Sequence, residues 1–218
     1  MTPLSLLTLP HLKREARAFA NLERLHLEPS LFGVTDGKAV GTYLEAKFKL
    51  YLSGSYRAAG GNAASGLDLP SLNVDIKTTS VRQPQSSSPF RSARQKIYGL
   101  GYDLLIFVYD KLDNRQSQTA LLDVQHVVYI EASRTADFTL TKLINETLSG
   151  GGNAEDLTAL MRDRMLPVDD LEATRLAEEL LLSPPTQGYL TISNALQWRL
   201  QYGRALLQAG KVSGVETL

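Results

Sequence analysis

Apolar and polar positions recur with two different periods along this chain, and the changes of period mark out its elements. Over residues 11–27, Leu12, Ala16, Phe19, Ala20, Leu22 and Leu25 fall near helical spacing, and Pro29 and Gly33 end the predicted helix. A second helix is predicted over 38–52, with Val40, Tyr43, Leu44, Lys47 and Tyr51 on one stripe and Glu45 at its border, near Gly41 and Phe48. Residues 54–66 are small and glycine-rich, with Gly60, Gly61 and Asn62, and read as a loop. The period then drops to two. Val74 and Ile76 share one face of a predicted strand, and Asp75 and Lys77 share the other, open to a solvent cleft. Pro70, Ser71 and Asn73 suit a turn, so a hairpin would return Asp68 beside Asp75 and Lys77.

Beyond this point, 83–89 reads as a polar loop with little tendency to regular structure, and 91–99 as a short helix closed by Gly99 or Gly101. The continuous apolar run 104–109 predicts a strand buried on both faces, and 121–130 a second strand. Helices are predicted over 140–148, 154–165, 169–182 and 193–209, with Gly150, Gly151 and Gly152 as a hinge or linker. The order helix, helix, hairpin, helix, strand, strand, helices predicts an α/β class, a small mixed sheet flanked by helices with a helical C-terminal part. The expected organisation is a core with its N-terminal helices over 1–149 and a helical region over 150–218 packed on it.

Composition narrows the picture. A chain of 218 residues with 43% hydrophobic positions can bury a sizeable core. It contains no cysteine, which excludes disulfides and thiolate metal sites and leaves oxygen and nitrogen as the available ligands. No apolar run reaches transmembrane length and the start lacks a basic signal segment, so a soluble cytoplasmic protein without membrane partners is expected. The 23 basic and 23 acidic side chains cancel, which argues against chain-wide attraction to nucleic acid but leaves room for a local basic groove. Such a bias exists between 77 and 96, where Lys77, Arg82, Arg91, Arg94 and Lys96 have no acidic neighbour in sequence, while 155–179 is acidic.

The chemistry centres on Asp68, Asp75 and Lys77. Two carboxylates can share a hard divalent cation, and a neighbouring ammonium can steer a water or offset charge on a phosphate. By itself Asp-x-Lys means little: Asp36-Gly37-Lys38 and Glu45-Ala46-Lys47 are further acidic-x-Lys matches, and composition predicts about one by chance. The plain alternative is a solvated strand face with a weak ion pair. Context favours the site: Asp68 stands at hairpin distance, the strand has an apolar face, and a polar segment follows. The other candidates are weaker. His11, His26 and His126 lack metal-ligand spacing, no Gly-x-Ser-x-Gly elbow occurs, and the Gly-rich stretches lack a phosphate-loop ending. The helix expected around Trp198 could mimic the reading helix of a helix-turn-helix, although such a tryptophan is more often a core anchor.

Glu45 on a helix, then Asp68, Asp75 and Lys77 on a hairpin strand, resemble the PD-(D/E)xK nuclease superfamily, which includes most type II restriction endonucleases. The short gap from Asp68 to Asp75, and Gly37-Lys38-Ala39-Val40-Gly41 leading to Glu45, are most similar to the branch containing the mismatch-repair endonuclease MutH. Leu67 precedes Asp68 where the pattern has proline, and Asp75 stands where that branch has Glu. The resemblance covers about residues 37–110. It implies that Asp68, Asp75 and the Ile76 carbonyl hold Mg²⁺, that Lys77 positions or deprotonates the attacking water, and that Glu45 supports them. The plain reading of Glu45 is a solvent-facing helix residue with Lys49 as its i,i+4 partner.

The segment after the strand carries side chains that read bases or hold phosphates: Arg82, Gln83, Gln85, Ser86, Ser87, Ser88, Arg91, Arg94 and Lys96. The implied function is Mg²⁺-dependent, sequence-specific cleavage of double-stranded DNA by a restriction-type enzyme, leaving 5′-phosphate and 3′-hydroxyl ends in a prokaryotic cytoplasm. A repair nickase, a junction resolvase and a non-catalytic DNA-binding protein on the same scaffold are the alternatives. A palindromic target would favour a homodimer, with a monomer left open.

Overall fold

The computed structural model describes residues 4–57, 66–89, 91–194 and 197–218. In chain order the elements are β1 (Ser5–Leu6), α1 (Leu9–Glu23), β2 (Leu27–Glu28), α2 (Gly37–Ser53), β3 (Tyr56–Arg57), β4 (Val74–Ser80), β5 (Gln85–Pro89), α3 (Arg94–Tyr98), β6 (Asp103–Asn114) and β7 (Thr119–Ile130). There follow α4 (Phe138–Ser149), α5 (Ala154–Asp163), α6 (Asp170–Leu182), β8 (Thr191–Ile192), β9 (Gln197–Gln201), α7 (Gly203–Gln208) and β10 (Val215–Thr217). This is a mixed α/β fold with a small sheet, flanking helices and a largely helical stretch from α4 to α6. Among the described residues no helix is long and apolar enough to cross a membrane.

The chain divides into two units, the first made of Met1–Pro84, Asp103–Tyr129 and Ala209–Leu218. Its sheet has the order β10-β7-β6-β4, with β2 paired to β7, and β4 lies parallel to β6 with Asp75 opposite Leu104 and Lys77 opposite Ile106. The apolar run Leu104–Tyr109 is buried at every position, as expected for a strand covered on both faces. Helix α1 begins at the Thr8 cap and buries Leu12, Ala16, Phe19 and Ala20, whereas Leu22 and Leu25 of the predicted stripe are exposed. Asp36 caps α2 by accepting the Lys38 N–H. The buried face of α2 is Val40, Gly41, Leu44, Phe48 and Leu52; Tyr43, Lys47 and Tyr51 lie half-buried beside it, so the core stripe is rotated from the predicted one. Phe48 packs against Phe19 and Phe107 with ring centroids 5.0 Å away in both cases, joining both helices to the sheet. The expected glycine-rich loop with Gly60, Gly61 and Asn62 lies outside the described residues.

The second unit comprises Gln85–Tyr102 and Ile130–Gln208. Ile97, Leu140, Ile144, Leu157, Met161, Leu176 and Leu180 form the centre of its helical core. Gly150–Gly152 make the turn from α4 to α5, where a Cβ on Gly152 would meet the Thr147 carbonyl oxygen at 2.8 Å. Asp137 caps α4 through the Leu140 N–H and also accepts the Ile192 N–H at 2.8 Å, tying β8 to the helix start.

Two expectations are corrected here. The polar stretch 83–89 is not a loop throughout, because Gln85–Pro89 forms β5, antiparallel to β9 in a sheet of order β5-β9-β8. Of the helix expected over 193–209, residues 195 and 196 lie outside the described ones, and 197–208 instead hold strand β9 followed by the short α7. Trp198, Leu200 and Tyr202 are buried while Arg199 and Gln201 are exposed, a period of two that a helical reading overlooks. With that helix goes the helix-turn-helix reading; Trp198 is the core anchor.

Candidate active site

The turn into β4 brings the acidic residues together. Pro70–Leu72 form one 3-10 turn, Asn73 closes it in the left-handed region at φ 56°, and Leu69 and Val74 exchange both backbone hydrogen bonds at 3.0 and 3.2 Å. Asparagine tolerates that conformation better than most side chains. The reversal returns Asp68 beside the strand, where its carboxylate accepts the Ile76 N–H at 3.0 Å. Val74 and Ile76 point into the core and are fully buried.

The side chains of Asp68 and Asp75 lie within hydrogen-bonding reach of each other. Lys77 Nζ sits 2.6 Å from Asp75 Oδ2, and Lys49 from α2 pairs with Asp68. Glu45, one turn earlier on α2, faces the same cluster: its titration feels Asp68, Lys77, Lys49 and Asp75. The four predicted residues Glu45, Asp68, Asp75 and Lys77 are therefore together at β4, the edge strand of its sheet.

Two details differ from expectation. Asp75 does not face open solvent; it is only 7% exposed, with Lys77 half-buried over it. Lys49 forms its ion pair with Asp68 and not with Glu45, because the hairpin carries a carboxylate to the helix that no local pattern reveals. The i,i+4 spacing from Glu45, which puts Lys49 on the same helix side, was the available signal.

The electrostatics follow from this crowding. Burial, and then the negative charge of Asp68, raises the Glu45 carboxyl to about 7. Burial also raises Asp75, against the pull of Lys77 and with the help of the hydrogen bond to Asp68. For Asp68 burial acts upward too but is outweighed by Lys49, by the shared hydrogen bond with Asp75 and by the Ile76 N–H, so its carboxyl falls below the ordinary range. Two carboxyls in contact cannot both ionise cheaply, and of the pair Asp75 is the harder to ionise. Burial acts to lower Lys77, yet Asp75, Glu45 and Asp68 together hold it above the usual lysine range.

Three carboxyls thus face two ammonium groups, and burial together with the excess negative charge raises the Glu45 and Asp75 carboxyls. Among the described residues no group of three or more His, Asp or Glu side chains is arranged to enclose a metal ion. The donor set is smaller: two carboxylates in contact, next to the backbone of Ile76. Oxygen donors crowded in this way suit a hard divalent cation.

The predicted DNA-contacting residues divide. Arg82 and Gln83 are exposed in the first unit, Arg82 with Asp110 at 3.6 Å. In the second unit Ser87, Arg91 and Arg94 are exposed and Gln85 is half-buried, with Arg94 paired to Glu179. Ser86 hydrogen-bonds the Tyr202 hydroxyl, Ser88 is buried, and Lys96 is buried with its ammonium on Asn194.

A helix carboxylate, a hairpin carboxylate and a strand Asp-x-Lys on an α/β core are the arrangement of a PD-(D/E)xK-like nuclease. The family model of the type II restriction enzyme NspV matches residues 6–217. A type II restriction enzyme NspV from Nostoc sp. (strain ATCC 29411 / PCC 7524) is 58% identical over 215 residues, covering 99% of this chain and 98% of that protein. No solved structure gives a significant match. The chain belongs to the NspV family of type II restriction enzymes. It is a hydrolase, an endonuclease that cuts double-stranded DNA at a specific sequence.

Proposed function

We propose that Glu45, Asp68, Asp75 and Lys77 carry out the cleavage, hydrolysing a phosphodiester to 5′-phosphate and 3′-hydroxyl ends. The observation that supports this most is the contact of Asp68 with Asp75 under Lys77, 2.6 Å from Asp75, with Glu45 facing the same cluster. Asp68, Asp75 and the Ile76 carbonyl would hold Mg²⁺, which supplies Lewis-acid activation and charge neutralisation when bound. Lys77, held protonated by Asp75, donates N–H groups to orient the attacking water and to offset charge on the phosphate oxygens. Glu45 accepts a hydrogen bond from that water, a role suited to a carboxyl poised near neutrality. As the water oxygen bonds to phosphorus, the P–O3′ bond breaks with its electron pair on the 3′-oxygen, which takes a proton from solvent water. The proton lost by the attacking water passes to Glu45.

DNA contact is assigned to Arg82, Gln83, Gln85, Ser87, Arg91 and Arg94, with Ser88 and Lys96 supporting them from buried positions and Ser86 from a half-buried one. A palindromic target calls for two copies related by a two-fold axis, and sedimentation with and without DNA measures that association.

The test is cleavage of phage DNA with Mg²⁺ or Mn²⁺ and in excess EDTA. Discrete fragments are expected with either ion and none with EDTA. Ca²⁺ should support binding with poor turnover, since its looser coordination misplaces the water. Asp75→Ala and Lys77→Ala should each abolish cleavage while the circular dichroism spectrum stays that of the wild type. Near-wild-type cleavage by either variant removes the assignment.

A further inference from the structure

We propose that the exposed face of the β5-β9-β8 sheet reads base edges, with Arg199 and Gln201 as specificity-determining residues that act beside Gln85, Ser87 and Thr191. This rests on the reading of the chain as a DNA endonuclease and deepens it by naming where recognition is made.

The register sets this face. Gln85 pairs with Gln201 and Ser87 with Arg199 across β5 and β9, and Thr191 of β8 lies on the other side of Gln201. Because side chains alternate along a strand, these five positions share one side of the sheet. The opposite side is fixed to the core: Ser88, Ile192, Trp198 and Leu200 are buried, and Ser86 bonds the Tyr202 hydroxyl. The backbone of Arg199 is held as well, its N–H on Ser193 Oγ at 2.9 Å and its carbonyl on the Ser193 N–H at 3.2 Å. The outer side chains therefore project from a rigid ribbon.

Their chemistry points to bases. Ser87, Thr191, Arg199 and Gln201 are exposed and Gln85 half-buried, and these five positions hold one cation and no carboxylate. Among the described residues neither Arg199 nor Gln201 spends its side chain on a protein partner. A face built for phosphate alone would carry several cations. Arginine pairs bidentately with guanine and glutamine with adenine, while serine and threonine serve either base or a thymine methyl. The major groove admits a two-stranded ribbon, here β5 and β9, which β8 flanks with only Thr191 and Ile192. Same-side residues on a strand stand about 6.8 Å apart, close to two base-pair steps of about 3.4 Å. Arg199 with Ser87, and Gln201 with Gln85, can then address base pairs two steps apart.

The test uses the full chain, wild type and the Arg199→Ala and Gln201→Ala variants; both residues are exposed, so the fold should be unaffected. The preferred site is selected from a randomised duplex pool in Ca²⁺ buffer, and binding is then measured to that site, to each single base-pair change of it and to a random duplex. Each variant should lose about ten- to a hundredfold on the preferred site and bind it no better than the duplex changed at one position. Affinity for the random duplex should stay unchanged. An unaltered ranking of the duplexes overturns the inference, and so does a uniform loss that includes the random duplex. Cleavage with Mg²⁺ is scored in parallel. A wild-type enzyme that cuts its site, with variants that rank duplexes as it does, sinks the ribbon alone. A wild-type protein that neither selects a sequence nor cuts DNA sinks the ribbon and the nuclease reading together.

Discussion

A carboxyl raised by burial and by its neighbours keeps its proton in the folded protein after the unfolded chain has lost it. For Glu45 that interval runs from its ordinary value of 4.5 up to about 7. Through it the folded state binds more protons than the unfolded one, so Glu45 costs stability progressively as pH rises and by its full amount above neutrality. Glu45→Gln should therefore raise the thermal midpoint of the chelator-treated protein at pH 8 and lose that advantage near pH 4.5. Equal gains at both pH values would mean that the side chain is not desolvated as described. Much of this site was legible before folding. Asp75 and Lys77 share a strand face by period alone, and Pro70, Ser71 and Asn73 announced the reversal that returns Asp68. What the local pattern could not reveal was the depth of Asp75 or the Lys49–Asp68 pair, since both depend on how α2 packs beside β4.

At the scale of elements, α1 and α2 are joined by more than their aromatic contacts. Glu23 is 2% exposed and takes Lys47 Nζ on both carboxylate oxygens, at 3.1 and 2.8 Å, while Lys47 also donates to Tyr43 at 2.8 Å. Removing one partner strands the other. Lys47→Ala should cost toward the lower end of about 3–5 kcal/mol, because the lysine is itself 29% exposed. The double variant Glu23→Met with Lys47→Leu should recover most of the loss. Urea denaturation of the three proteins decides the matter, and a double variant no better than the single one would mean that the pair is not an isolated clamp. The strands β5 and β9 show the converse limit of local reading. Gln, Ser and Pro supply no strand signal by themselves, and Trp198 and Leu200 fit a helix as readily as a strand in so short a window. Their pairing is a long-range fact: Ser86 and Tyr202, in contact, are 116 positions apart.

For the whole molecule, a formal net charge of zero removes any general attraction to DNA, so affinity rests on local chemistry and, on the proposed reading, on a cation held by Asp68 and Asp75. Cation binding is linked to stability. Above the dissociation constant, each tenfold increase in free Mg²⁺ should add about 1.4 kcal/mol to the free energy of unfolding. Differential scanning calorimetry should register this rise in the wild type and not in Asp75→Asn; the same rise in both would place the ion elsewhere. The distance in sequence between β5 and β9 has a last consequence, for the chain as it is made. Glu45 to Lys77 leave the ribosome within one short stretch, and β6, the neighbour of β4, follows soon after. β9 arrives almost at the end, and synthesis runs at about 5–20 residues per second. During that delay the residues proposed to cut exist before β9, and so before the face proposed to choose where they cut.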